Sequence, residues 1–406
     1  MPELMAVGRP TGRFGTVQLV AVELALFAAG AAAYALAPVP GVLAGAAGAV
    51  LLVATFGRSG GRWWYEVLGA RLRLAGRRRA ARRAQRLAGA EGVDDPLLAV
   101  LPPGPRTSTV TDRAGTIGVG EDPLGWFAAI AVRHPDALAG GHRGALPLDW
   151  LAELAADPAL PASTLQVVLR HSSLPVAAVH PHAVAAQSYL ELCRVLAVPV
   201  HHDLWIAARL ATRDAATVAA DRGGGTAGVH RALTAALARV GTGLANLGLE
   251  HSMLDGEGLR QAVAYSCGVD GIDGLASAAA PSGPARERWS RWQGRRRVQV
   301  CFAVRAWPAK AGADPLRALT QVPSALDVSV AVVFGRRGDP RLPGGRAAAR
   351  TLVRLTALPE SVDACVRQLR AGAAGAGIRL VRLNGEHATG VYATAPTGAT
   401  LGLIAR

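Results

Sequence analysis

The sequence predicts an α/β protein in which an N-terminal two-helix transmembrane hairpin is followed by a cytoplasmic mixed α/β domain. Three observations carry this prediction. Two apolar runs with almost nothing between them open the chain, a segment rich in tryptophan and arginine follows, and strand-like and helix-like periodicities then alternate to the C-terminus.

Residues 1–16 form a basic N-terminus with Arg9 and Arg13. The first apolar run, VQLVAVELALFAAGAAAYAL, covers 17–36 and the second, VPGVLAGAAGAVLLVATF, covers 39–56, separated by Ala37 and Pro38. At about 1.5 Å per residue, each approaches the roughly 30 Å of a bilayer's apolar core. Arginines flank both runs, so the positive-inside rule places both termini in the cytoplasm and only the Ala37–Pro38 turn outside. A cleaved signal peptide fits less well: Ala35-Leu36-Ala37 has the small-x-small form, but Pro38 would follow the cut and the second run would be unexplained. The small residues Ala28 to Ala33 are expected to face Gly41, Gly45 and Gly48 across the hairpin. Glu23 is the one formal charge in either run, which suits packing or an interfacial position better than a proton relay.

Residues 57–88 read as a juxtamembrane helix. Trp63, Trp64 and Tyr65 stand where an interfacial aromatic belt is expected, and Arg71, Arg73, Arg77, Arg78, Arg79, Arg82, Arg83 and Arg86 continue from there. Such a run suits docking on anionic lipids or on an acidic partner. The same density would neutralise phosphates of nucleic acid, but the neighbouring aromatic belt favours lipid and no nucleic acid is expected. The net charge of +15 is weaker evidence than its placement. Lys310 is the only lysine, and a composition so rich in Ala, Gly and Arg reflects a GC-rich genome.

Residues 89–108, acidic and then proline-rich, read as a linker into the α/β domain at 109–406. There GTIGV and WFAAIAV form a predicted hairpin turning at Glu121 to Gly125. Strands are expected at 163–173 and 201–211 with an amphipathic helix at 182–196 between them, and a helix at 229–249 follows. Strands at 297–307 and 325–335 bracket a short helix at 313–322, and 349–358, 361–375 and 378–383 complete a strand, helix and strand. A mixed sheet fits this alternation, and no internal repeat is visible in the sequence.

Candidate sites mostly lack their required context. With one lysine placed outside any glycine-rich loop, no phosphate-binding G-x-x-x-x-G-K-[ST] is possible, and neither H-E-x-x-H nor G-x-S-x-G occurs. GGGTAG at 223–228 satisfies G-x-G-x-x-G but follows a helical segment rather than a strand, so it reads as a helix-to-helix connection. His171, His180, His182, His201 and His202 are concentrated with Asp203. Adjacent histidines on a strand point to opposite faces, so scattered polar contacts are expected rather than a metal site. Cys193, Cys267, Cys301 and Cys365 lie far apart and read as buried thiols. Trp289 and Trp292 are expected to share a helix face, as anchors in the core or at an interface. No catalytic residue, cofactor or metal is assigned.

The layout resembles the EccE family, a membrane subunit of the actinobacterial type VII (ESX) secretion system. The resemblance rests on the order of features along the whole chain, on QSYLELCRVLAVPVHHDLWIAARL at 187–210 and on RERWSRWQGRRRVQVCFAVRAWP at 286–308. It implies a non-enzymatic structural subunit of an inner-membrane export complex, with two spans in the bacterial cell membrane. Implied partners are EccB, the EccC ATPase and EccD, with mycosin protease as a further contact. The competing classes are a membrane-anchored glycosyltransferase-like enzyme and a membrane-tethered nucleic-acid-binding protein. For the first, DGIDG at 270–274 spaces its carboxylates three apart instead of as D-x-D.

Overall fold

A computed structural model describes residues 16–34, 38–59, 62–88, 104–112, 115–133, 146–172, 201–268, 286–294, 297–308, 315–335 and 348–400. The chain divides into two compact units, Arg9–Arg86 and one made chiefly of Leu87–Arg406. The helix expected at 182–196, most of the expected linker, Cys193, and the carboxylates Asp270 and Asp273 lie outside the described residues.

In the N-terminal unit the apolar runs form α1 (Thr16–Tyr34) and α2 (Pro38–Phe56), which pack against each other. Their point of approach is Ala25 against Gly48, where a Cβ on the glycine would stand 3.8 Å from the Ala25 backbone. At Gly30 and Gly45, also expected at the contact, an added Cβ would meet no atom within 4 Å among the described residues. Leu19, Leu24, Leu26, Phe27, Val50 and Val53 are exposed on the two helices. Among the described residues, no helix is long and apolar enough to cross a membrane. A short ribbon, β1 (Arg58–Ser59) with β2 (Arg62–Trp63), leads into α3 (Trp64–Ala88).

In the second unit, twelve described strands form one sheet. Its elements are β3 (Arg106–Asp112), β4 (Gly115–Asp122), β5 (Gly125–Val132), α4 (Leu148–Ala156), β6 (Thr164–Ser172), β7 (His201–Ala211), α5 (Thr212–Ala220), α6 (Gly225–Asn246), β8 (His251–Met253) and α7 (Gly256–Cys267). There follow β9 (Arg286–Glu287), β10 (Trp292–Gln293), β11 (Val298–Ala306), α8 (Pro315–Thr320), β12 (Asp327–Gly335), β13 (Ala348–Ala357), α9 (Val362–Gly375), β14 (Arg379–Arg382) and α10 (His387–Ala393).

This order is a duplication. Each half runs hairpin, strand, helix, strand, strand, helical layer, strand and covering helix. In the first half the pairing order is β8-β5-β7-β6 and in the second β14-β11-β13-β12, the split β-α-β arrangement in both. The halves join along β6 and β12, antiparallel from Ser172 opposite Asp327 to Thr164 opposite Gly335. The repeat missed in the sequence is therefore one of topology. Such a unit requires only apolar alternation in the right order, and many sequences supply that.

The expected mixed sheet is also corrected, because every described strand pairing is antiparallel. Helical crossovers do link strands of the same direction, such as β5 and β6. In each half, however, the next strand of the chain inserts between them, here β7.

Both sheet faces are covered. On one face Ile130, Ile206, Leu210 and Phe334 pack with Leu151 of α4 and Leu233 and Leu237 of α6, while Val300, Phe302, Val330 and Leu355 pack with Leu319 of α8 and Leu369 of α9. On the other face Phe127, Ala207, Cys301 and Leu352 pack with Leu259 and Val263 of α7 and Val391 and Tyr392 of α10. Two-sided coverage explains the unbroken apolar character of DVSVAVVFG, in which every residue from Asp327 to Gly335 is buried.

Candidate assembly surface and buried ion network

The start of α3 is built by its aromatic residues. The Trp63 N–H donates to Glu66 Oε2 at 3.2 Å, and the Trp64 N–H to the Gly57 carbonyl at 2.9 Å. Trp63 stands edge-on to Phe56, with centroids 6.4 Å apart, and stacks on Tyr65 at 6.5 Å. Trp64 lies over Gly57, where a Cβ would come within 2.5 Å of the indole, so the crossing from α2 into α3 requires glycine.

Of the three aromatics only Trp64 is largely exposed; it continues through Leu68 and Leu72, also exposed, into a stripe at four-residue spacing. Exposed Arg71, Arg78 and Arg79 border this stripe, Arg73 is exposed farther round, and Ala70 and Leu74 are buried on the opposite side. Arg77 is half-buried. The helix backbone also carries Arg82, Arg83 and Arg86, whose side chains lie outside the described residues.

The two tryptophans expected on one helix face are not on a helix. Trp292 belongs to β10, opposite Glu287 and Gln299, and is buried with the α10 core. Trp289 is half-buried in the preceding turn, where its carbonyl accepts from Gly385 N–H at 2.7 Å. The four-residue turn between β9 and β10 breaks the helical register that the spacing suggested.

Beneath α7 and α10, the sheet holds a seam of buried ions that sequence reasoning did not find. Arg209 on β7 and Arg354 on β13 are fully buried, one on the third strand of each repeat's split β-α-β core. Arg209 donates to Oδ1 of Asp122 and, at 2.9 Å, to the Thr397 carbonyl, while Tyr392 donates to Oδ2 of the same carboxylate. Burial, and then the Asp122 charge, raise the Tyr392 phenol well above its ordinary range, which keeps it a donor. Arg354 donates to the Ser266 carbonyl and, at 2.7 Å, to Ser329 Oγ. Between these sites Arg170 reaches Asp203 at 3.3 Å and Asp327 at 3.5 Å and lies over the Tyr265 ring at 3.9 Å. Burial opposes the Arg170 charge, but Asp327, Tyr265 and Asp203 outweigh it and the guanidinium is held protonated. Gln166 closes the seam by donating to Ala393 O at 2.8 Å and accepting from Thr397 and Gly398 N–H at 3.2 and 2.6 Å. These buried charges are paired, as a low-dielectric interior demands. The arrangement clamps the 387–400 segment to both repeats.

The histidine cluster resolves into a pair. His171 on β6 and His202 on β7 are directly opposite in the ladder, with Nδ1 atoms 3.2 Å apart and ring centroids 4.5 Å apart. Burial, and then His202, push His171 down to about 4. The expectation of scattered contacts is corrected, since cross-strand register brings together residues 31 apart in sequence. His180 and His182 lie outside the described residues, as does the His201 side chain. No group of three or more His, Cys, Asp or Glu among the described residues is placed to hold a metal ion. Cys267, Cys301 and Cys365 are free and buried. GGGTAG joins α5 to α6 through Gly223, Gly224 and Gly225, all at positive φ, as a helix connection.

Residues 198–304 match the family described as "Putative type VII ESX secretion system translocon, EccE". In this region the chain is similar to the EccE family. The match runs from the start of β7 into β11, thus through the second half of the first repeat and the beginning of the next, and includes Arg209 and both tryptophans. It bears out the EccE resemblance read in the sequence, including part of the 187–210 segment and most of 286–308. No curated protein matches this chain.

Proposed function

We propose that this chain is a non-enzymatic structural subunit of a bacterial inner-membrane type VII secretion complex, stabilising assembly with other membrane subunits and a separate ATPase. The observation that carries the reading is the EccE match over residues 198–304. A family of translocon components implies association within such a complex, and the partners in this reading are EccB, the EccC ATPase and EccD, with mycosin protease beside them. The ion seam supports a structural role, because its charges are engaged in holding the C-terminal segment rather than directed into an open cleft.

The N-terminal unit supports a seat in the membrane. Exposed Leu19, Leu24, Leu26, Phe27, Val50 and Val53 present apolar surface that water disfavours. At 19 residues, α1 and α2 each cover about 28 Å, close to the bilayer's apolar thickness. In this reading the hairpin enters with both termini cytoplasmic, Trp63, Trp64 and Tyr65 lie at the interface, and the α3 arginines meet anionic lipid or an acidic partner.

Affinity purification of the full chain from native membranes in mild detergent tests the assembly. Co-recovery of the ATPase and the other membrane subunits is expected, whereas recovery of the chain alone would sink the proposal. Depth is tested by Val39→Cys, which an impermeant thiol reagent should label from outside while reporters at Arg9 and Arg406 stay inside. Protection of that cysteine would mean that the hairpin enters the bilayer without crossing it.

A further inference from the structure

β3 is the outermost described strand at one end of the sheet, and it lacks the usual protections of a sheet edge. Open strand edges are normally blunted by brevity, proline, lysine or a bulge. The opposite end follows this rule, since β9 has two residues. β3 instead runs for seven, RTSTVTD, in unbroken register with β4 from Arg106 opposite Glu121 to Asp112 opposite Gly115. Pro105 stands just before the strand, and within it Arg106, Ser108, Thr109 and Thr111 are exposed.

The direction of the edge groups follows from β4. Gly118 N–H donates to the Leu254 carbonyl at 2.6 Å, and Leu254 N–H donates to Ala129 O of β5 at 3.1 Å, so Gly118 turns its backbone groups toward β5 and away from β3. Thr109, opposite Gly118, therefore belongs to a non-hydrogen-bonded pair. Successive residues alternate in direction, so Thr107, Thr109 and Thr111 aim their N–H and C=O groups out of the sheet. Among the described residues, no hydrogen bond reaches those groups. The Oγ1 atoms of Thr109 and Thr111 are engaged within the fold, with Gly256 N–H at 3.1 Å and Thr116 Oγ1 at 3.2 Å. It is the backbone of β3 that is left to pair.

We propose that β3 pairs antiparallel with β3 of a second copy of this chain, about a two-fold axis at Thr109. The strand is complementary to its own reversal. Thr109 then meets Thr109, Thr107 meets Thr111, and Arg106 meets Asp112 at both ends, where the charges are opposite. The outward residues form hydrogen-bonded pairs, with about six bonds across the joint. Other alignments lose one of these matches. An in-register parallel pairing sets like charges side by side, and a two-fold centred on Ser108 brings Thr111 to Pro105, which has no N–H. A strand of unrelated sequence would use the same hydrogen bonds without the charge match at both ends.

The test is cross-linking of the full chain in membranes, followed by sedimentation of the purified chain in neutral detergent. Directly opposite residues of a hydrogen-bonded pair have Cα atoms about 5.5 Å apart, inside the disulfide range of about 4.4–6.8 Å. Thr109→Cys should therefore give a disulfide-linked homodimer on mild oxidation. Thr107→Cys alone should not, whereas differently tagged Thr107→Cys and Thr111→Cys copies should link to each other. Thr107→Pro removes an outward N–H that the β3–β4 ladder does not use, and edge strands tolerate proline. It should weaken dimerisation by about tenfold or more with a thermal midpoint near that of the parent, which separates lost pairing from lost folding. Arg106→Asp should also weaken the dimer, and Asp112→Arg in the same chain should restore it. A chain that stays monomeric, a dimer that Thr107→Pro leaves intact, or Thr109→Cys linking only to a different protein would overturn the proposal.

Discussion

Tyr392 on α10 donates its hydroxyl to the Asp122 carboxylate on β4, joining residues 270 apart in sequence. Arg209 meets the other oxygen of the same carboxylate. One acidic side chain thereby ties the first hairpin, the third strand of that half's split β-α-β core and the helix that closes the second half. The consequences of disturbing it are unequal among the three partners.

Asp122→Asn should be the most damaging, because it leaves the fully buried Arg209 charge without its counter-ion. Loss of a buried partner costs roughly 3–5 kcal/mol, while Tyr392→Phe, which removes one hydrogen bond, costs about 1 kcal/mol. Urea unfolding of the full chain in detergent measures both. Equal midpoints for the two variants would show that the pair contributes no more than a neutral contact.

Stability should fall as the pH drops from about 6.5 toward 4. His171 is held down to about 4 in the fold, by burial first and His202 second, against an ordinary value of 6.5. In this window the unfolded chain binds a proton that the folded chain refuses, so acid favours unfolding and the full contribution returns above 6.5. His171→Gln should flatten this slope in thermal midpoints across the window, and an unchanged slope would assign the pH response to other groups.

Alkylation of Cys267 and Cys301 should be slow at pH 8 until the chain unfolds. Burial pushes the two thiols up to about 11 and about 12, overcoming the nearby Arg354 charge in each case, and the thiolate is the reactive form. Peptide mapping after timed treatment with iodoacetamide reads this directly. Rapid labelling of either cysteine in the folded chain would mean that the α7–α10 layer opens.

Gly125→Ala should loosen the β4–β5 turn. Gly125 has φ +138, and a Cβ there would stand 2.2 Å from the Leu210 carbonyl oxygen, a backbone atom that cannot swing aside. Backbone strain and overpacking each cost on the order of 1–3 kcal/mol, and hydrogen exchange of the β4–β5 and β5–β7 amides should rise before that of β12. Unchanged protection would show that the turn relaxes without disturbing the sheet.

Neutralising Arg77, Arg78, Arg79, Arg82 and Arg83 together should leave the chain in the membrane fraction but release it from the complex during purification. Each basic side chain contributes at most about 1 kcal/mol beside an anionic surface, so their joint removal is needed. Retention equal to the parent would place assembly on another surface.

Strand and helix positions were legible wherever one side-chain period dominated. HHDLWIAARLA became β7 at 201–211, and SVDACVRQLRAGAAG became α9 within one residue of its expected start. The hairpin turn at Glu121 to Gly125 also appeared as read, with Asp122 opposite Gly125. The short elements escaped: β8, β9 and β10 have two or three residues, too few to show any period. Trp289 and Trp292 misled for a related reason, since a three-residue interval is shared by a helical face and a tight turn.

The sequence by itself determined local geometry, the apolar pairing of 17–36 with 39–56, the dense charge following Trp63 and the absence of a lysine-bearing phosphate loop. These depend on residues near one another along the chain. Only the tertiary structure decided that two topologically equal halves share one antiparallel sheet, that His171 faces His202, and that Arg209 is neutralised by Asp122. An arginine has the same letter whether or not it is buried with a carboxylate, and strand register, which sets its neighbours, is fixed by packing between segments far apart in sequence.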